Sequence, residues 1–424
     1  MNGARLAVVL LLIACASSHP NDSARPVPRL KIDWQPVTHY LDSAVARGAA
    51  PGAVLGVTHD GERFVYGSGR LGDLDAGRPG ATTLYDLASL TKVVGLTTGL
   101  MLAVSEGKID LDAPVQRYVP AFAGPGKETI TVRLLLTHAG GLPAWRPLFR
   151  EVSSRQDAFA LADTTPLEYP PGSRDVYSDL GAIVLTQLLE TVYHQRIDSL
   201  LEQRIFGSLG LTSLRYRPPS DWLSRIAPTE MDPWRGRVLR GEVHDENAAV
   251  MDGVSGHAGL FGSVEDLLGF AEWLLAQAEV SSGQTGSFAS HSERSEESAG
   301  ITSTRDRDHA SPGPRPPVRP STFPTFPRSV VQAFTARQNL VPGSSRALGW
   351  DTPDSGSSSG SLLSRHSIGH TGFTGTSIWI DFDRRVAIVL LSNRVHPTRN
   401  NPRWNPVRAQ IADLVMTTLF EDVR

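Results

Sequence analysis

The alternation of apolar and polar positions predicts strands near both ends of the chain. The segment AVLGVTHDGERFVYGSGR (53–70) predicts two strands joined at Asp60-Gly61, a dipeptide typical of two-residue hairpin turns. Near the other end, TSIWIDF (376–382) and VAIVLLSN (386–393) predict two more strands, separated by three charged residues. Short apolar runs of this kind are typical of β-strands.

The middle of the chain carries helical periodicity. Strands at both ends with helices between them predict an α/β (α+β) fold, in which an antiparallel sheet lobe is built from both ends of the chain, with helices packed on it, and a mainly helical lobe is inserted. We expect the α/β lobe at about 34–85 and 325–424, the helical lobe at about 86–278, and the site in the cleft between them. The predicted helices cover residues 35–47, the segment that starts at Ser89, and residues 131–143, 175–195, 263–278 and about 405–420.

The first fifteen residues have the layout of an export signal. MNGAR is a short positive start, and LAVVLLLIA is an apolar run too short to span a bilayer. Leu12-Ile13-Ala14-Cys15 resembles a bacterial lipobox, in which the cysteine becomes the lipid-modified first residue. Cys15 is the only cysteine of the chain, so it cannot form an internal disulfide.

We therefore expect a lipoprotein-type signal peptide at 1–15, a tether at 16–33 and lipidation at Cys15. The protein is then exported, periplasmic or at the cell surface, and its membrane partner is reached through the N-terminal lipid anchor. An ordinary signal peptide that is cleaved nearby, with Cys15 incidental, is the alternative.

Composition narrows the class of protein. The 424 residues are 40% hydrophobic and 20% charged, which is ordinary for a soluble globular protein, and the length suits either one large domain with two lobes or two domains. A net charge of −3 gives no reason to expect a nucleic-acid partner. Residues 281–325 are rich in Ser, Arg and Pro and poor in aliphatic side chains, which predicts a disordered insertion in a catalytic domain that covers 34–424.

Ser89-Leu-Thr-Lys92 is the first candidate for chemistry. The chain has 41 basic residues but only four lysines, so a lysine placed three positions after a serine stands out. Unlike an arginine, a buried lysine can lose its proton. On one helix face Lys92 could accept the proton of Ser89, and the helix N-terminus would favour the developing negative charge. A solvated helix lysine is the alternative.

Three further segments bear on this hypothesis. Ser105-Glu-Gly-Lys108 repeats the spacing, but Gly107 predicts a helix end, so its two side chains need not meet. Tyr177 could share or relay the proton, unless it is a core aromatic residue. In His370-Thr371-Gly372-Phe373, which precedes a predicted strand, the backbone N–H of Phe373 could join that of Ser89 in an oxyanion hole, unless this is a plain turn.

In this order, Ser89-Leu-Thr-Lys92, Tyr177-Ser178-Asp179 and His370-Thr371-Gly372 resemble the three motifs of the serine β-lactamase and penicillin-binding protein superfamily. The tyrosine makes the resemblance closest to the class C β-lactamase-like branch. GEVHDENAAVMDGVSGHAGLFGS (241–263) resembles the type 4B penicillin-binding proteins and related serine hydrolases. The resemblance covers roughly 35–280 and 325–424, and it implies the β-lactamase/DD-peptidase fold.

The resemblance also implies a mechanism. Ser89 would form an acyl-enzyme, Lys92 and Tyr177 would manage protons, and the backbone N–H groups of Ser89 and Phe373 would form the oxyanion hole. No metal or organic cofactor would be needed. Substrate contacts would come from Asp179, His370, Thr371 and Gly372.

The implied substrate is a small molecule or a peptidoglycan peptide. We expect a D-Ala-D-Ala carboxypeptidase or another muropeptide peptidase, ahead of a carboxylesterase and then a β-lactamase. A non-catalytic protein that binds cell-wall peptide is the alternative from a different class, although a binder needs no base beside the serine.

Two positions depart from the family pattern. Asp179 stands where an asparagine is common, and it would raise the pKa of Lys92 unless it is protonated or turned away. His370 stands where β-lactamases carry a lysine, so a fixed positive charge is lost. Both changes favour a peptidase or an esterase over a β-lactamase. A further group of polar residues lacks a recognised metal spacing, so we expect it to order a loop or contact substrate: His244, Asp245, Glu246 and His257.

Overall fold

The computed structural model describes residues 32–72, 77–279 and 324–420. All of its helices and strands lie in one compact unit, residues 34–424. The predicted signal segment with Cys15, nearly all of the tether, and all but the last two residues of the predicted insertion lie outside the described residues.

The strands form one large sheet and two small ones within the described residues. The large sheet is antiparallel with the order β2-β1-β10-β9-β8, and the small sheets have the orders β3-β7-β4 and β5-β6. The strands are β1 (Gly52–His59), β2 (Glu62–Gly69), β3 (Leu84–Asp86), β4 (Arg215–Tyr216), β5 (Met231–Asp232), β6 (Arg237–Val238), β7 (Leu260–Ser263), β8 (Ser367–Thr371), β9 (Ser377–Asp381) and β10 (Val386–Ser392).

Most helices lie between β3 and β8 in the sequence. The α-helices are α1 (Gln35–Ala46), α2 (Thr98–Ser105), α3 (Val132–Leu136), α4 (Arg155–Thr164), α5 (Asp179–Tyr193), α6 (Ile197–Leu201), α7 (Gly207–Leu209), α8 (Glu246–Val250), α9 (Val264–Glu279), α10 (Arg328–Thr335) and α11 (Asn405–Phe420). Two π-helices, Thr91–Thr97 and Glu202–Phe206, accompany short 3₁₀ turns at Val115–Arg117, Lys127–Thr129, Leu148–Arg150, Ser220–Arg225 and Pro402–Trp404.

The large sheet joins the two ends of the chain, as the sequence predicts. β10 lies between β1 and β9, and Leu55 of β1 faces Leu390 of β10. The hairpin between β1 and β2 turns at Asp60 and Gly61, whose φ angles of 49° and 82° are the left-handed values that a two-residue turn requires.

The sheet is buried on both faces, which explains why its central strand has no polar alternation. One face packs against α1 and α11, and the other packs against α9 and the helical core. Alternate residues of β10 enter these two cores: Val386, Ile388 and Leu390 on the first face, and Ala387, Val389 and Leu391 on the second.

Two helices differ from the prediction where they approach the site. After Ser89, the chain widens into the π-helix Thr91–Thr97 before α2 begins. α5 starts at Asp179, because the Ser178 hydroxyl caps it by accepting a hydrogen bond from the Gly181 N–H at 3.2 Å. Tyr177 therefore lies just before the helix and not within a helix over 175–195.

Candidate active site

Ser89 lies in the turn between β3 and the π-helix. Its side chain is partly exposed in a pocket of about 290 Å³. Its lining includes residues of the first two predicted motifs, of the 241–263 segment, and Phe373, which follows the third motif: Ala88, Ser89, Trp145, Tyr177, Asp179, His244, Asp245, Glu246, His257, Ala258, Phe373 and Arg399. Of the predicted substrate contacts, Asp179 lines the pocket, and His370, Thr371 and Gly372 do not.

A buried carboxylate holds the turn that presents Ser89. Ala88 has a φ of 46°, a left-handed value that is strained for a residue with a Cβ. Asp86 accepts hydrogen bonds from the backbone N–H of Ala88 at 2.8 Å and from that of His244 at 2.6 Å. Burial raises the pKa of Asp86, and these two hydrogen bonds oppose that rise. Asp86 thus ties the serine turn to the pocket wall.

Lys92 forms two hydrogen bonds and one ion pair. Its Nζ lies 3.1 Å from the Ser89 hydroxyl, 2.9 Å from the His257 backbone carbonyl and 2.7 Å from an Asp179 carboxylate oxygen. An ammonium has three donors and no acceptor, so this set of contacts matches the protonated form. The serine and the lysine meet as the Ser-x-x-Lys spacing predicts.

The electrostatic surroundings also favour the protonated form of Lys92. Burial alone would lower its pKa, but the charge of Asp179 and the contacts with Tyr177 outweigh burial and hold the pKa above its ordinary value. Asp179 is not turned away from the lysine. Lys92 therefore rests as an ammonium, which differs from the expectation of a neutral amine that is ready to take the proton of Ser89.

Tyr177 lies beside the serine and lysine. Lys92 Nζ is 5.0 Å from the centre of its ring, and its hydroxyl is buried. Burial raises the pKa of Tyr177, while the charge of Lys92 opposes that rise. Tyr177 is thus a neutral phenol beside Lys92, and its hydroxyl forms no hydrogen bond with another described residue.

The third motif reaches the site through β8, the edge strand of the large sheet. His370 is buried, its Nδ1 lies 2.8 Å from the Thr371 carbonyl, and its ring centre is 5.7 Å from that of Tyr177. Burial lowers the pKa of His370 to about 4, and nearby cations including Lys92 add to this. His370 is therefore uncharged at neutral pH.

The turn after β8 packs against the segment that precedes Ser89. The hydroxyls of Thr374 and Thr376 donate to the carbonyls of Asp86 and Leu87, at 2.7 and 3.0 Å. A Cβ on Gly372 would lie 2.5 Å from the Leu87 carbonyl oxygen, so only glycine allows this approach.

Two backbone N–H donors remain available where the turn after β8 approaches Ser89. Neither the N–H of Ser89 nor that of Phe373 donates a hydrogen bond to another described residue. Phe373 is half exposed, and its ring stacks on His244 with a centroid distance of 5.8 Å. The arrangement can therefore offer two N–H groups to an oxyanion formed at Ser89.

Ion pairs form one wall of the pocket. His244 Nε2 lies 2.9 Å from Glu230, and Arg399 binds both Glu230 and Glu246, at 2.5 and 2.7 Å. Burial would raise the pKa of Glu230, but the hydrogen bonds from His244 and Arg399 lower it to about 2. This wall is fixed by charge-assisted hydrogen bonds.

A second pair lies behind Lys92. His257 is buried, with Nε2 2.9 Å from Asp245 and Nδ1 2.7 Å from the Ser255 hydroxyl. Asp245 also caps α8 by accepting from the Ala248 N–H at 2.7 Å. These contacts order the loop, as expected for this polar group. In the described part of the chain, no three His, Cys, Asp or Glu side chains are arranged to hold a metal ion.

The second Ser-x-x-Lys sequence is not a site of this kind. The Ser105 hydroxyl donates to the Leu102 carbonyl at 2.8 Å, and Lys108 lies over the Tyr193 ring at 5.3 Å. Gly107, with a φ of 67°, ends the helix between them.

Sequence reasoning did not single out Arg346 or His138, which surround Tyr177. Arg346 lies 5.6 Å from the centre of the Tyr177 ring and pairs with Asp175 and Asp351. His138 accepts a hydrogen bond from the backbone N–H that follows Tyr177, at 3.1 Å. His138 stands in the family-like phrase TVRLLLTHAGGLP, which could have indicated it, whereas no pattern marks Arg346.

The fold and this serine–lysine–tyrosine site define a serine hydrolase of the β-lactamase type. The sequence model of the Beta-lactamase family matches residues 37–413, so the chain belongs to that family. A protein of Escherichia coli K12 with the provisional name D-alanyl-D-alanine carboxypeptidase is 30% identical over 369 residues, which are 79% of this chain and 75% of that protein.

Solved structures share the fold. The β-lactamase/D-alanine carboxypeptidase of Pseudomonas syringae superposes with a TM-score of 0.65 at 16% identity, covering 92% of this chain and 98% of that one. The class C β-lactamase of Rhodobacter sphaeroides superposes with a TM-score of 0.63 at 20% identity, covering 91% of this chain and 99% of that one.

None of the described helices is both long and apolar enough to cross a membrane.

Proposed function

We propose that the protein is a D-Ala-D-Ala carboxypeptidase-like muropeptide peptidase that works through an acyl-enzyme on Ser89. The observation that carries this proposal is the accessible Ser89 hydroxyl, which lies 3.1 Å from the buried Lys92 in a pocket that Tyr177 also lines. The carboxypeptidase name of the relative from Escherichia coli supports the peptide substrate.

The proton of Ser89 leaves through Lys92. As the Ser89 oxygen bonds to the substrate carbonyl carbon, Lys92 gives a proton to Asp179 across the 2.7 Å contact, and the lone pair that this frees accepts the proton of Ser89. Lys92 is therefore an ammonium before and after the transfer, in agreement with its raised pKa. Asp179, and not an initially neutral lysine, is the final acceptor.

The leaving group receives a proton from Tyr177. When the carbon–nitrogen bond breaks, the phenol protonates the departing amine, and Lys92 and Asp179 restore the proton to Tyr177. A water molecule then attacks the ester carbonyl on Ser89, and its proton passes through Lys92 to Asp179. The same path returns a proton to the Ser89 oxygen as the carbon–oxygen bond breaks, which releases the acid and restores the serine. In both steps the N–H groups of Ser89 and Phe373 stabilise the oxyanion.

A carboxylesterase is the second candidate, and the state of His370 favours it. A peptide that ends in D-alanine carries a carboxylate, whereas an uncharged His370 offers no fixed positive charge to it. Two nearby cations are already paired with carboxylates, namely Arg346 beside Tyr177 and Arg399 in the pocket wall. His370→Lys should therefore raise peptidase activity relative to esterase activity, with His370→Asn as the neutral control.

One experiment separates these functions. We would measure D-alanine release from an acylated peptide that ends in D-Ala-D-Ala, hydrolysis of a nitrophenyl ester, and the mass of the acylated protein after exposure to a fluorescent penicillin. Ser89→Ala should abolish all three, and Ser105→Ala is the matched control. Unchanged ester turnover in Ser89→Ala would contradict the mechanism, and turnover of the ester alone would favour the esterase.

We also propose that the protein is an exported lipoprotein anchored through Cys15. The support is the sequence alone, namely a short positive start, an apolar run and a lone cysteine. Mass spectrometry of the mature N-terminus tests this proposal, with Cys15→Ser as the control. An unmodified chain that starts beyond Cys15 would contradict it.

A further inference from the structure

The exposed tryptophan and phenylalanine side chains gather at the mouth of the pocket. Within the described residues, those that are exposed are Trp145 (50%), Trp234 (45%) and Phe373 (49%). Trp145 and Phe373 line the pocket itself. Phe149 links the tryptophans, because its ring centre lies 6.5 Å from that of Trp145 and 5.0 Å from that of Trp234. We call Trp145, Phe149 and Trp234 the aromatic shelf.

The shelf is held in place by buried polar groups. Asn247 is buried, donates to the Arg146 carbonyl at 2.8 Å and accepts from the Phe149 N–H at 3.1 Å. The backbone N–H of Trp234 donates to the buried carboxylate of Asp232 at 2.7 Å. Because Asn247 belongs to α8, which begins beside the pocket, the shelf has a fixed position relative to Ser89.

The polar rim of the shelf is electrically balanced. Arg146 pairs with Glu151, and Arg237 pairs with Glu242, at 2.8 and 2.5 Å. Arg235 pairs with Glu242 at 2.9 Å and also binds Asp232. Among these neighbours of the shelf, only Arg150 lacks an ion pair with a described carboxylate. Its guanidinium lies over the Phe149 ring instead.

This charge pattern selects the chemistry of the ligand. An anionic membrane or a nucleic acid is attracted by unpaired cations, which the rim largely lacks. An uncharged ligand with apolar C–H faces and many hydroxyl and amide groups suits it better. A pyranose ring can stack its C–H face on an indole, while paired guanidinium and carboxylate groups hydrogen-bond its substituents.

The size of the pocket gives such a ligand a reason to reach the shelf. Its volume of about 290 Å³ is at the lower end of the range for small-molecule sites, roughly 300–1,000 Å³. A peptide end fits inside it, and any sugar attached to that peptide has to lie outside. Trp145 belongs to both the pocket and the shelf, so the two surfaces are continuous.

We propose that the aromatic shelf binds the sugar part of a glycan-linked peptide whose D-Ala-D-Ala end occupies the pocket. The proposal rests on the proposed peptidase function and adds a sugar subsite outside the pocket, formed by Trp145, Phe149 and Trp234, which should favour sugar-linked over free peptides. The shelf is a specificity surface and takes no part in bond breaking.

The test compares two substrates in the full-length protein. We would measure kcat/KM for D-alanine release from an N-acetylmuramyl pentapeptide and from the same pentapeptide without sugar. Trp234→Ala should lower the ratio of these two constants about tenfold, mainly through KM, and Trp234→Tyr should restore most of it. Leu340→Ala, an exposed apolar residue outside the shelf, is the matched control.

Each outcome decides the proposal. The proposal is overturned if Trp234→Ala leaves the ratio of the two kcat/KM values unchanged, or lowers kcat/KM equally for both substrates. It is also overturned if the wild-type protein binds anionic phosphatidylglycerol vesicles and Trp234→Ala abolishes that binding. If no substrate releases D-alanine, the peptidase function fails, and tryptophan fluorescence with the N-acetylglucosaminyl-N-acetylmuramic acid disaccharide still tests the shelf. A disaccharide-dependent change that Trp234→Ala removes supports it, and no change in the wild type overturns it.

Discussion

Replacing Asp179 by asparagine should lower the pKa of Lys92 from well above its ordinary value to near that value. The carboxylate is the largest contribution that raises this pKa, and burial, the largest contribution of all, lowers it. Asparagine keeps the shape of the side chain and removes the charge, so burial should then offset the contributions that remain.

The distance between the charges sets the size of the effect. Opposite unit charges 2.7 Å apart interact by about 6 kcal/mol at an effective dielectric constant of about 20, which corresponds to about four pKa units. The asparagine oxygen keeps part of the hydrogen bond, and a neighbouring charge usually shifts a pKa by about 1–3 units. We therefore expect Asp179→Asn to lower the pKa of Lys92 by roughly two to three units.

The small number of lysines makes a direct assay practical. The sequence has only Lys31, Lys92, Lys108 and Lys127, so selective ¹³C labelling at the lysine ε-carbon should give few NMR signals, and Lys92→Arg assigns the one that matters. A pH titration of the wild type and of Asp179→Asn then reports the two pKa values. The reasoning is refuted if wild-type Lys92 loses its proton below its ordinary pKa, or if Asp179→Asn leaves that pKa unchanged or raises it.

Three other predictions follow from the surroundings of the site. Gly372→Ala should reduce acylation of Ser89 by a fluorescent penicillin at least tenfold, because its Cβ would meet atoms 2.0 and 2.5 Å away, whereas Gly77→Ala, with open space around it, should not. The free energy of unfolding should fall by up to roughly 3 kcal/mol between about pH 6.5 and pH 4, because His370 binds a proton more weakly in the folded than in the unfolded chain. Urea unfolding of His370→Asn should show a flatter pH dependence of this free energy. Asp86→Asn should slow acylation and lower the unfolding free energy by about 1–3 kcal/mol, because an amide oxygen replaces a carboxylate that holds the strained Ala88.

These three predictions have distinct contradicting results. Equal acylation rates in the two glycine variants would show that the close approach of β8 is unimportant. A His370→Asn protein with the wild-type pH dependence would mean that other groups cause the acid sensitivity. Full acylation and full stability in Asp86→Asn would remove this carboxylate from the positioning of the serine.

Local patterns in the sequence predict the elements of this fold well. The Asp60-Gly61 turn, the apolar strands β9 and β10, and helix α11 follow from turn chemistry and periodicity, which depend on neighbouring residues only. The π-helix after Ser89 is different, because α-helical and π-helical turns have no distinct apolar pattern over seven residues.

The site is predictable only in part for the same reason. The spacing of Ser89 and Lys92 places them together, since the Lys92 backbone N–H donates to the Ser89 carbonyl at 3.0 Å and so closes a tight turn between them. The contact of Lys92 with the His257 carbonyl joins residues 165 positions apart, and no local pattern encodes it. Whether Asp179 faces the lysine also depends on tertiary packing, so the sequence can raise the question of the lysine charge but cannot answer it.

The hydrogen bonds from Thr374 and Thr376 to the segment before Ser89 have a consequence for biosynthesis. They span 288 and 289 residues, and the strand that completes the sheet comes from the same late part of the chain. A polypeptide still emerging from the ribosome therefore carries the nucleophile without the turn that holds it in place. Enzymatic competence arrives only when the last part of the chain has been made, so truncated products should be inert toward acylating substrates.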